Sequence, residues 1–269
     1  MALSYLTQIL KYLKLIKPIF SIVVITKDNH NELIDTINTL PSSDLFLVEL
    51  IVVDSSLKIT TLKPKVFNFI YEHTKPNGIY KAQNLGISIA KGDFVIVMNS
   101  GDGFTPDADK ILGSILKFDE YNAFAFSQIF RKQSGEALST YIPTSDTLWP
   151  HQSVILKKNI YDNFGYYPED CMYTAEQIYF AKIRKHLTVY YSKDVLSYFT
   201  DGGVSTAMFS LDIFKENFFL WRQLNKSLIF SFIKAYIFPI VKYLLENKLK
   251  LYWLGFRLRR LYDSNVFKN

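Results

Sequence analysis

The sequence is poor in the residues that mark a metal centre or a disulfide scaffold. It has one cysteine, Cys171, and four histidines that stand apart from one another. A lone cysteine excludes an internal disulfide and fits a reducing compartment. One Cys with scattered His gives no zinc-ligand spacing. Internal repeats and low-complexity linkers are missing too. The opening stretch MALSYLTQILKYLKLIK is broken by lysines and has no small-residue cleavage site after it, so it does not read as a signal peptide. A long apolar run free of charge is also lacking. The best candidate, SLIFSFIKAYIFPIVKYLL over 227–245, contains Lys234, Pro239 and Lys242. A lysine at the bilayer centre costs about 2.5–3.5 kcal/mol, which argues against a span.

What is present suits a folded body with an appendage. The chain has 269 residues, of which 49% are apolar and 21% charged. That is enough for one large core and too apolar for a disordered chain. The net charge of +6 is unevenly placed. From residue 201 onward eleven Lys and Arg face five Asp and Glu, while the first 200 residues are balanced. The basic residues of this tail alternate with Leu, Ile, Phe, Tyr and Trp, which favours an anionic membrane surface over nucleic acid. Lys234 and Lys242 are spaced to share a helical face, and Arg257, Arg259 and Arg260 add charge further on. The tail, 207–269, is therefore expected to be helical and to lie in a membrane interface, with the protein's own body or a second copy of the chain as the other partner. At the other end, Leu3, Leu6, Leu10, Leu13 and Ile16 with Lys11, Lys14 and Lys17 make an amphipathic basic helix over 1–18. Membrane surface and self-packing are equal readings for it.

Between these ends, 19–206 reads as an α/β domain. FSIVVIT (20–26) and VELIVVD (48–54) are continuous apolar runs of strand length, as expected for strands covered on both faces. VFNFIYE (66–72) and DFVIVMN (93–99) share the same pattern. Helices are expected over 28–40, capped by Asp28 or Asn29, and over 79–92, stopped by Gly92. Alternation of this kind implies a parallel, doubly wound sheet. Past residue 105 the expectation is a helix at 107–118, strands at 123–131 and 135–142, strand character at 149–158, and a helix at 174–186. Two short strands at 187–192 and 195–199 and a glycine turn at 201–206 complete it.

In such sheets ligands sit beyond the carboxyl ends of the strands. Thr26, Asp54 and Asp102 fall there. A carboxylate at Asp54 can accept from a nucleobase N–H or cap the next segment. Asp102, after Asn99, Ser100 and Gly101, suits a hard cation already held by phosphate oxygens, or a turn. Neither is specific alone.

The ordered set SIVVIT, ELIVVD and NGIYKAQNLGISIAKGDFVIVMNSGD resembles the family 2 glycosyltransferases of the GT-A fold, closest to the branch that builds bacterial surface polysaccharides (O-antigen, capsule). The resemblance continues through HQSVILKKNIYDNFGYYPE and DVLSYFTDGGVST and covers roughly residues 20–206. It implies a Rossmann-like, mostly parallel central sheet flanked by helices. It implies that Thr26 lines the nucleotide pocket and Asp54 binds the base. Tyr80, Lys81 and Asn84 would lie near the sugar and diphosphate, with Asn99 and Ser100 on the donor side. Asp102 would be the carboxylate on Mn²⁺ or Mg²⁺. Glu176, in YTAEQIYFAK, stands where the family has its general base, although alone it reads as a first-turn helical charge. His151, Gln152, Gly202 and Gly203 would shape the acceptor side. The chain departs from the branch at SSLK after Asp54, at Asp28 in place of Asn, and at Lys81 and Gln83 near the sugar.

The resulting expectation is an inverting, metal-dependent transferase. It would move a sugar from a UDP-sugar (galactose or N-acetylglucosamine types first) to a hydroxyl of a glycan on a lipid carrier. The enzyme would be cytoplasmic, peripheral on the inner membrane face, without a nucleic-acid partner. Two rivals are a membrane-bound scaffold that kept the fold without catalysis, and a nucleotidyltransferase. The latter would want a Gly-rich, Lys-bearing phosphate loop after the first strand, and TKDNHN is not one.

Overall fold

The computed structural model describes residues 17–59, 61–202, 211–224 and 226–244. The expected N-terminal helix (bar Lys17 and Pro18), Gly203, Arg257, Arg259 and Arg260 lie outside them. The chain runs β1 (Phe20–Thr26), α1 (His30–Asn38), β2 (Val48–Asp54), β3 (Asn68–His73), α2 (Ile79–Ile89), β4 (Phe94–Asn99) and β5 (Gly103–Phe104). It continues through α3 (Ala108–Ile115), β6 (Ala123–Arg131), β7 (Ala137–Tyr141), a 3₁₀ turn at His151–Ser153, β8 (Val154–Lys157), α4 (Lys158–Phe164), α5 (Ala175–Ile183) and β9 (Val189–Thr200). After that come α6 (Leu211–Gln223), α7 (Leu228–Phe232), a π-helical turn at Ile233–Ile237 and α8 (Phe238–Tyr243).

One sheet organises the body, in the order β3-β2-β1-β4-β8-β6-β9-β5, with β7 on β6. β1 pairs in parallel with β2 and β4, and β2 with β3. β8 is antiparallel to β4 and β6, which turns β6 back to the direction of β1, and β9 runs parallel to β6. The carboxyl ends of β1, β2, β4, β6 and β9 therefore share one edge. β8 starts at that same edge, directly after His151–Ser153.

The apolar runs at 20–26, 48–54 and 94–98 are continuous because both sheet faces are covered. Alternate residues point to opposite faces. Val23, Ile25, Ile51, Val53, Val95 and Val97 pack with Tyr80 and Ile87 of α2 and with Tyr179, Phe180 and Ile183 of α5. On the other face Ile22, Val24, Leu50, Val52, Ile96 and Met98 pack with Leu33 of α1 and Ile111, Leu112 and Ile115 of α3.

Several expectations are corrected. Strand–helix alternation alone reads as a parallel sheet; β3, β2, β1 and β4 are parallel, while β8, β7 and β5 run against their neighbours, so the sheet is mixed within the GT-A-like fold that the resemblance implies. The two short strands expected at 187–192 and 195–199 are one, β9. Exposed Lys193 and Asp194 read as a turn, yet the strand passes through them by shifting register opposite Ala125, Ser127 and Gln128. The stretch 149–158 yields a strand of only four residues behind the 3₁₀ turn. Neither Asp28 nor Asn29 caps α1. The Asp28 carboxylate accepts from Leu57 N at 2.9 Å, and the Asn29 amide donates to Glu32. Among the described residues no helix is long and apolar enough to cross a membrane.

The tightest contact that places the site is Gly86 of α2, which crosses β1 and β2. A Cβ there would lie 2.3 Å from Cγ1 of Val23 and 3.2 Å from Cγ2 of Val53. Gly86→Ala is expected to push α2 off the sheet and to destabilise the fold by about 1–3 kcal/mol. Denaturant unfolding measures it; an unchanged midpoint would show that the helix slides without cost.

Candidate active site

The edge is built in register. Thr26 stands opposite Asp54, and Ile25 opposite Asn99, so three neighbouring strands deliver polar ends side by side. With adjacent strands about 4.8 Å apart, Asp54 and Asn99 are separated by roughly 10 Å. The Thr26 hydroxyl is buried and has no hydrogen-bond partner among the described residues. Asp54 is fully buried and already engaged: Oδ1 accepts from Ser56 N at 2.8 Å and Oδ2 from the Tyr71 hydroxyl at 2.5 Å. Each oxygen keeps a second lone pair.

The turn after β4 is held from several sides. Ser100 N donates to Ile25 O at 2.9 Å. Gly101 has φ +93°, which favours glycine, and lies beside the Glu32 carboxylate, whose Oε2 would be 2.7 Å from a Cβ there. The Thr36 hydroxyl accepts from Gly101 N at 2.9 Å and donates to Asp102 O at 2.6 Å. The Asp102 carboxylate then points inward. Gln152 Nε2 donates to its Oδ2 at 2.8 Å, and Thr200 N to its Oδ1 at 3.1 Å. Gln152 is itself held by Gln128 Nε2 at 3.2 Å. Burial pushes the Asp102 carboxyl up to about 7, against the pull of Gln152, Thr200, Asn99 and the Arg131 guanidinium. Arg131 closes β6 at this edge, 3.3 Å over the Tyr198 ring and donating to the Thr200 hydroxyl at 3.1 Å.

A second cluster sits on α2 and α5. Glu176 lies in the first turn of α5, nearly buried rather than an exposed helical charge. The Tyr80 hydroxyl donates to its Oε2. His151 Nδ1 is 3.9 Å from its Oε1. Burial holds the His151 imidazole down at about 4, so the ring is neutral near neutral pH and this contact is not an ion pair. His151 Nε2 is buried without a partner among the described residues. Burial also pushes the Glu176 carboxyl up to about 7, and the Tyr80 hydroxyl moderates the shift.

The remaining expected residues fall at varied distances from these clusters. Asn84 spends its amide on the loop before α5, bonding Tyr167 O at 2.9 Å, Glu169 Oε1 at 3.1 Å and Tyr167 N at 3.0 Å. Lys81 is half-buried and reaches Asn77 Oδ1 at 3.4 Å. Gly202 has φ +108° just past β9. Gln152 sits against Asp102, whereas its neighbour His151 faces Glu176. Sequence reasoning had no site role for Thr36, Arg131 or Thr200, and marked Gln83 only as a departure from the family pattern near the sugar. Gln83 Nε2 donates to Asn99 Oδ1 at 3.1 Å and leaves its Oε1 buried without a partner among the described residues. A second signal for it was a polar residue on the apolar stripe of 79–89.

As a metal site this edge is sparse. Among the described residues no group of three or more His, Cys, Asp or Glu could hold an ion by itself. A carboxylate offers about four lone-pair positions, and Asp102 uses two on protein donors. The donor set fits a cation shared with substrate phosphates, not one caged by protein.

A mixed sheet flanked by helices, with polar residues gathered where its parallel strands end, is the architecture of the GT-A class of folds. The sequence matches the model of glycosyl transferase family 2 over residues 21–179, more than half of the chain, and the protein belongs to that family. Solved structures show the same fold. TarS 1–349 of S. aureus in complex with UDP-GlcNAc has a TM-score of 0.60 at 16% identity, covering 91% of this chain and 80% of that one. The mannosyltransferase PcManGT from Pyrobaculum calidifontis, in complex with GDP-Man and Mn²⁺, has a TM-score of 0.54 at 13% identity, covering 91% and 79%. No curated protein matches the sequence.

The buried carboxyl of Glu176 has a consequence for stability. Its affinity for a proton is raised from about 4.5 in a solvated chain to about 7 in the fold. Between those values the folded state keeps a proton that the unfolded chain has released, so its contribution is fully present below 4.5 and is lost as pH rises through 7. Glu176→Gln keeps an acceptor for Tyr80 and removes the charge. It is expected to stabilise the protein at pH 8 by up to about 3 kcal/mol and to do little at pH 4. Melting curves at the two pH values test it; equal shifts at both would place the side chain in water.

Proposed function

We propose that this glycosyltransferase moves a sugar from a UDP-sugar to a glycan hydroxyl with inversion, and that Glu176 is the general base. The observation that carries the reading is the buried Glu176 carboxyl, held between Tyr80 and His151 with a proton affinity near neutrality. A base of that affinity is ionised often enough at pH 7 and still takes a proton in the transition state. The acceptor hydroxyl gives its proton to Glu176 as its oxygen bonds the anomeric carbon. The bond from that carbon to the diphosphate breaks, and its electron pair leaves with the nucleoside diphosphate. One displacement from the face opposite the leaving group inverts the centre.

The donor side is assigned to the strand ends. Thr26 and Asp54 face the nucleoside, Asp54 through its second lone pairs. Asn99, Ser100, Tyr80, Lys81 and Asn84 border the sugar and diphosphate. Asp102 would hold Mn²⁺ or Mg²⁺ jointly with the diphosphate oxygens, and such an ion supplies counter-charge for the departing phosphate. Arg131, close enough to act on the Asp102 carboxyl, adds fixed positive charge on that side. UDP is favoured as the nucleotide by the resemblance of the motifs and by the UDP-GlcNAc that TarS binds; the GDP-Man bound by PcManGT makes GDP the comparison to run.

The acceptor is placed on a lipid carrier at the inner membrane face, in the assembly of a bacterial surface polysaccharide. His151, Gln152, Gly202 and Gly203 would shape its side of the site. Support comes from the tail, whose described helices leave Leu228, Ile229, Phe232, Ile237 and Leu244 well exposed beside a basic, apolar sequence. Lys234 lies over the rings of Phe238 at 5.0 Å, Trp221 at 5.5 Å and Phe230 at 5.7 Å.

Nucleoside diphosphate release from a panel of sugar nucleotides is expected to select a UDP-sugar and to rise with pH through about 7. Glu176→Gln should lose about 10²–10⁴-fold in turnover while staying folded. Asp102→Ala should lose at least about 10²-fold. Near-normal turnover in either variant removes that residue's role. Calorimetry should find no saturable Mn²⁺ binding until UDP is present; tight binding of Mn²⁺ alone would contradict a shared cation.

A further inference from the structure

The helix that carries Glu176 has no cap of its own. The Thr174 side chain, at the position before α5, accepts nothing from the helix. Its hydroxyl donates instead to Glu216 Oε2 at 3.2 Å. Glu216 belongs to α6, beyond β9, some 42 residues further along the chain. Its carboxylate gathers three consecutive backbone N–H groups: Met172 N on Oε1 at 2.6 Å, Tyr173 N on Oε2 at 2.9 Å and Thr174 N on Oε2 at 3.0 Å. Charge-assisted bonds to backbone N–H are the strong kind. Four bonds to this one carboxylate converge two to four residues before Glu176, at a helix start with no side-chain cap.

We propose that Glu216 is a positioning residue for the Glu176 carboxylate: it clamps residues 172–174 and so makes the C-terminal helices part of the acceptor side of the site. The inference rests on Glu176 being the base and deepens that reading. Its action has two components. The clamp sets where α5 begins, and therefore whether Glu176 reaches Tyr80 and His151. Its negative charge also opposes ionisation of Glu176, in the same direction as burial.

The groups that face Glu176 are few enough to separate. Tyr80 faces it from α2 and donates to it; His151, neutral, faces it from the 3₁₀ turn. Tyr167 and Cys171, on the segment before α5, feel its charge, and burial raises the proton affinity of each. Of these neighbours Glu216 alone contributes a carboxylate. Replacing it with Gln removes charge, which lowers the pH at which Glu176 ionises, and sets an NH₂ against the backbone donors. A Glu176 displaced toward solvent also loses burial, the largest cause of its raised affinity, which outweighs the lost Tyr80 bond. Glu216→Asp keeps the charge on a shorter arm.

The test is a carboxyl ¹³C NMR titration of the full chain labelled at glutamate, with Glu176 assigned from Glu176→Gln. The Glu176 midpoint is expected to fall by about half a pH unit or more in Glu216→Gln, and to stay nearer wild type in Glu216→Asp. With UDP-GlcNAc as donor probe, UDP release should show kcat down by about tenfold or more in Glu216→Gln and donor KM within about twofold. A Glu176 midpoint in Glu216→Gln that is unchanged or raised overturns the proposal and leaves Glu216 a cap for α5. The NMR midpoint decides even if this probe is not turned over. Wild-type turnover in Glu176→Gln would instead remove the base assignment, and an inactive Glu176→Gln beside a fully wild-type Glu216→Gln would remove the positioning role alone.

Discussion

Hydrogen bonding of β1 to β2 on one side and to β4 on the other is the constraint on which the remaining architecture rests. Parallel pairing fixes Thr26 opposite Asp54 and Ile25 opposite Asn99, so the strands must stop together. A slip of one residue would turn every side chain to the wrong face. Because Val23 and Ile25 pack against α2 and α5 while Ile22 and Val24 pack against α1 and α3, no such slip is tolerated. The antiparallel β8 then returns the chain so that β6 and β9 end at the same edge. The ends of the parallel strands and the start of β8 meet there.

Polar side chains at that edge are buried at a cost, and the fold offsets it with amides rather than with opposite charges. Asp102 takes Gln152, which takes Gln128; Asn99 takes Gln83. Neutral donors orient a carboxylate without neutralising it. Burial therefore dominates for both Asp102 and Glu176 and leaves their proton affinities near 7. An arginine bonded directly to either would have pulled it back toward an ordinary carboxylate. The site keeps two carboxyl groups poised near neutrality because their partners are uncharged.

Much of this was legible from residue order. β1, β2 and β6 fall on the residues expected for them, since strands covered on both faces are largely apolar even with Ser21, Glu49, Ser127 and Gln128 buried among them. The convergence of Asp54 and Asp102 on one edge comes from parallel topology, which alternating strands and helices announce. The illegible parts depend on long-range geometry. β9 looked like two strands because Lys193 and Asp194 face solvent at a register shift. The Asn84 amide is tied to the Tyr167 backbone, a partner 83 residues away that residue order does not name. Glu216 carried no signal at all, because an acidic residue on a helix names no partner. Its three backbone donors are specified by a loop that sequence pattern leaves blank.

The Thr174–Glu216 contact bears on how such a chain could be rearranged by evolution. A tail that merely tethers an enzyme can be swapped for another by gene fusion, since the body is indifferent to its replacement. Here the helix carrying a key carboxylate is finished by a residue from the tail. Recombination just after β9 would leave every strand intact and yet hand the new protein an unfastened helix. The junction after the sheet is thus a suture rather than a seam, and the two parts must travel together.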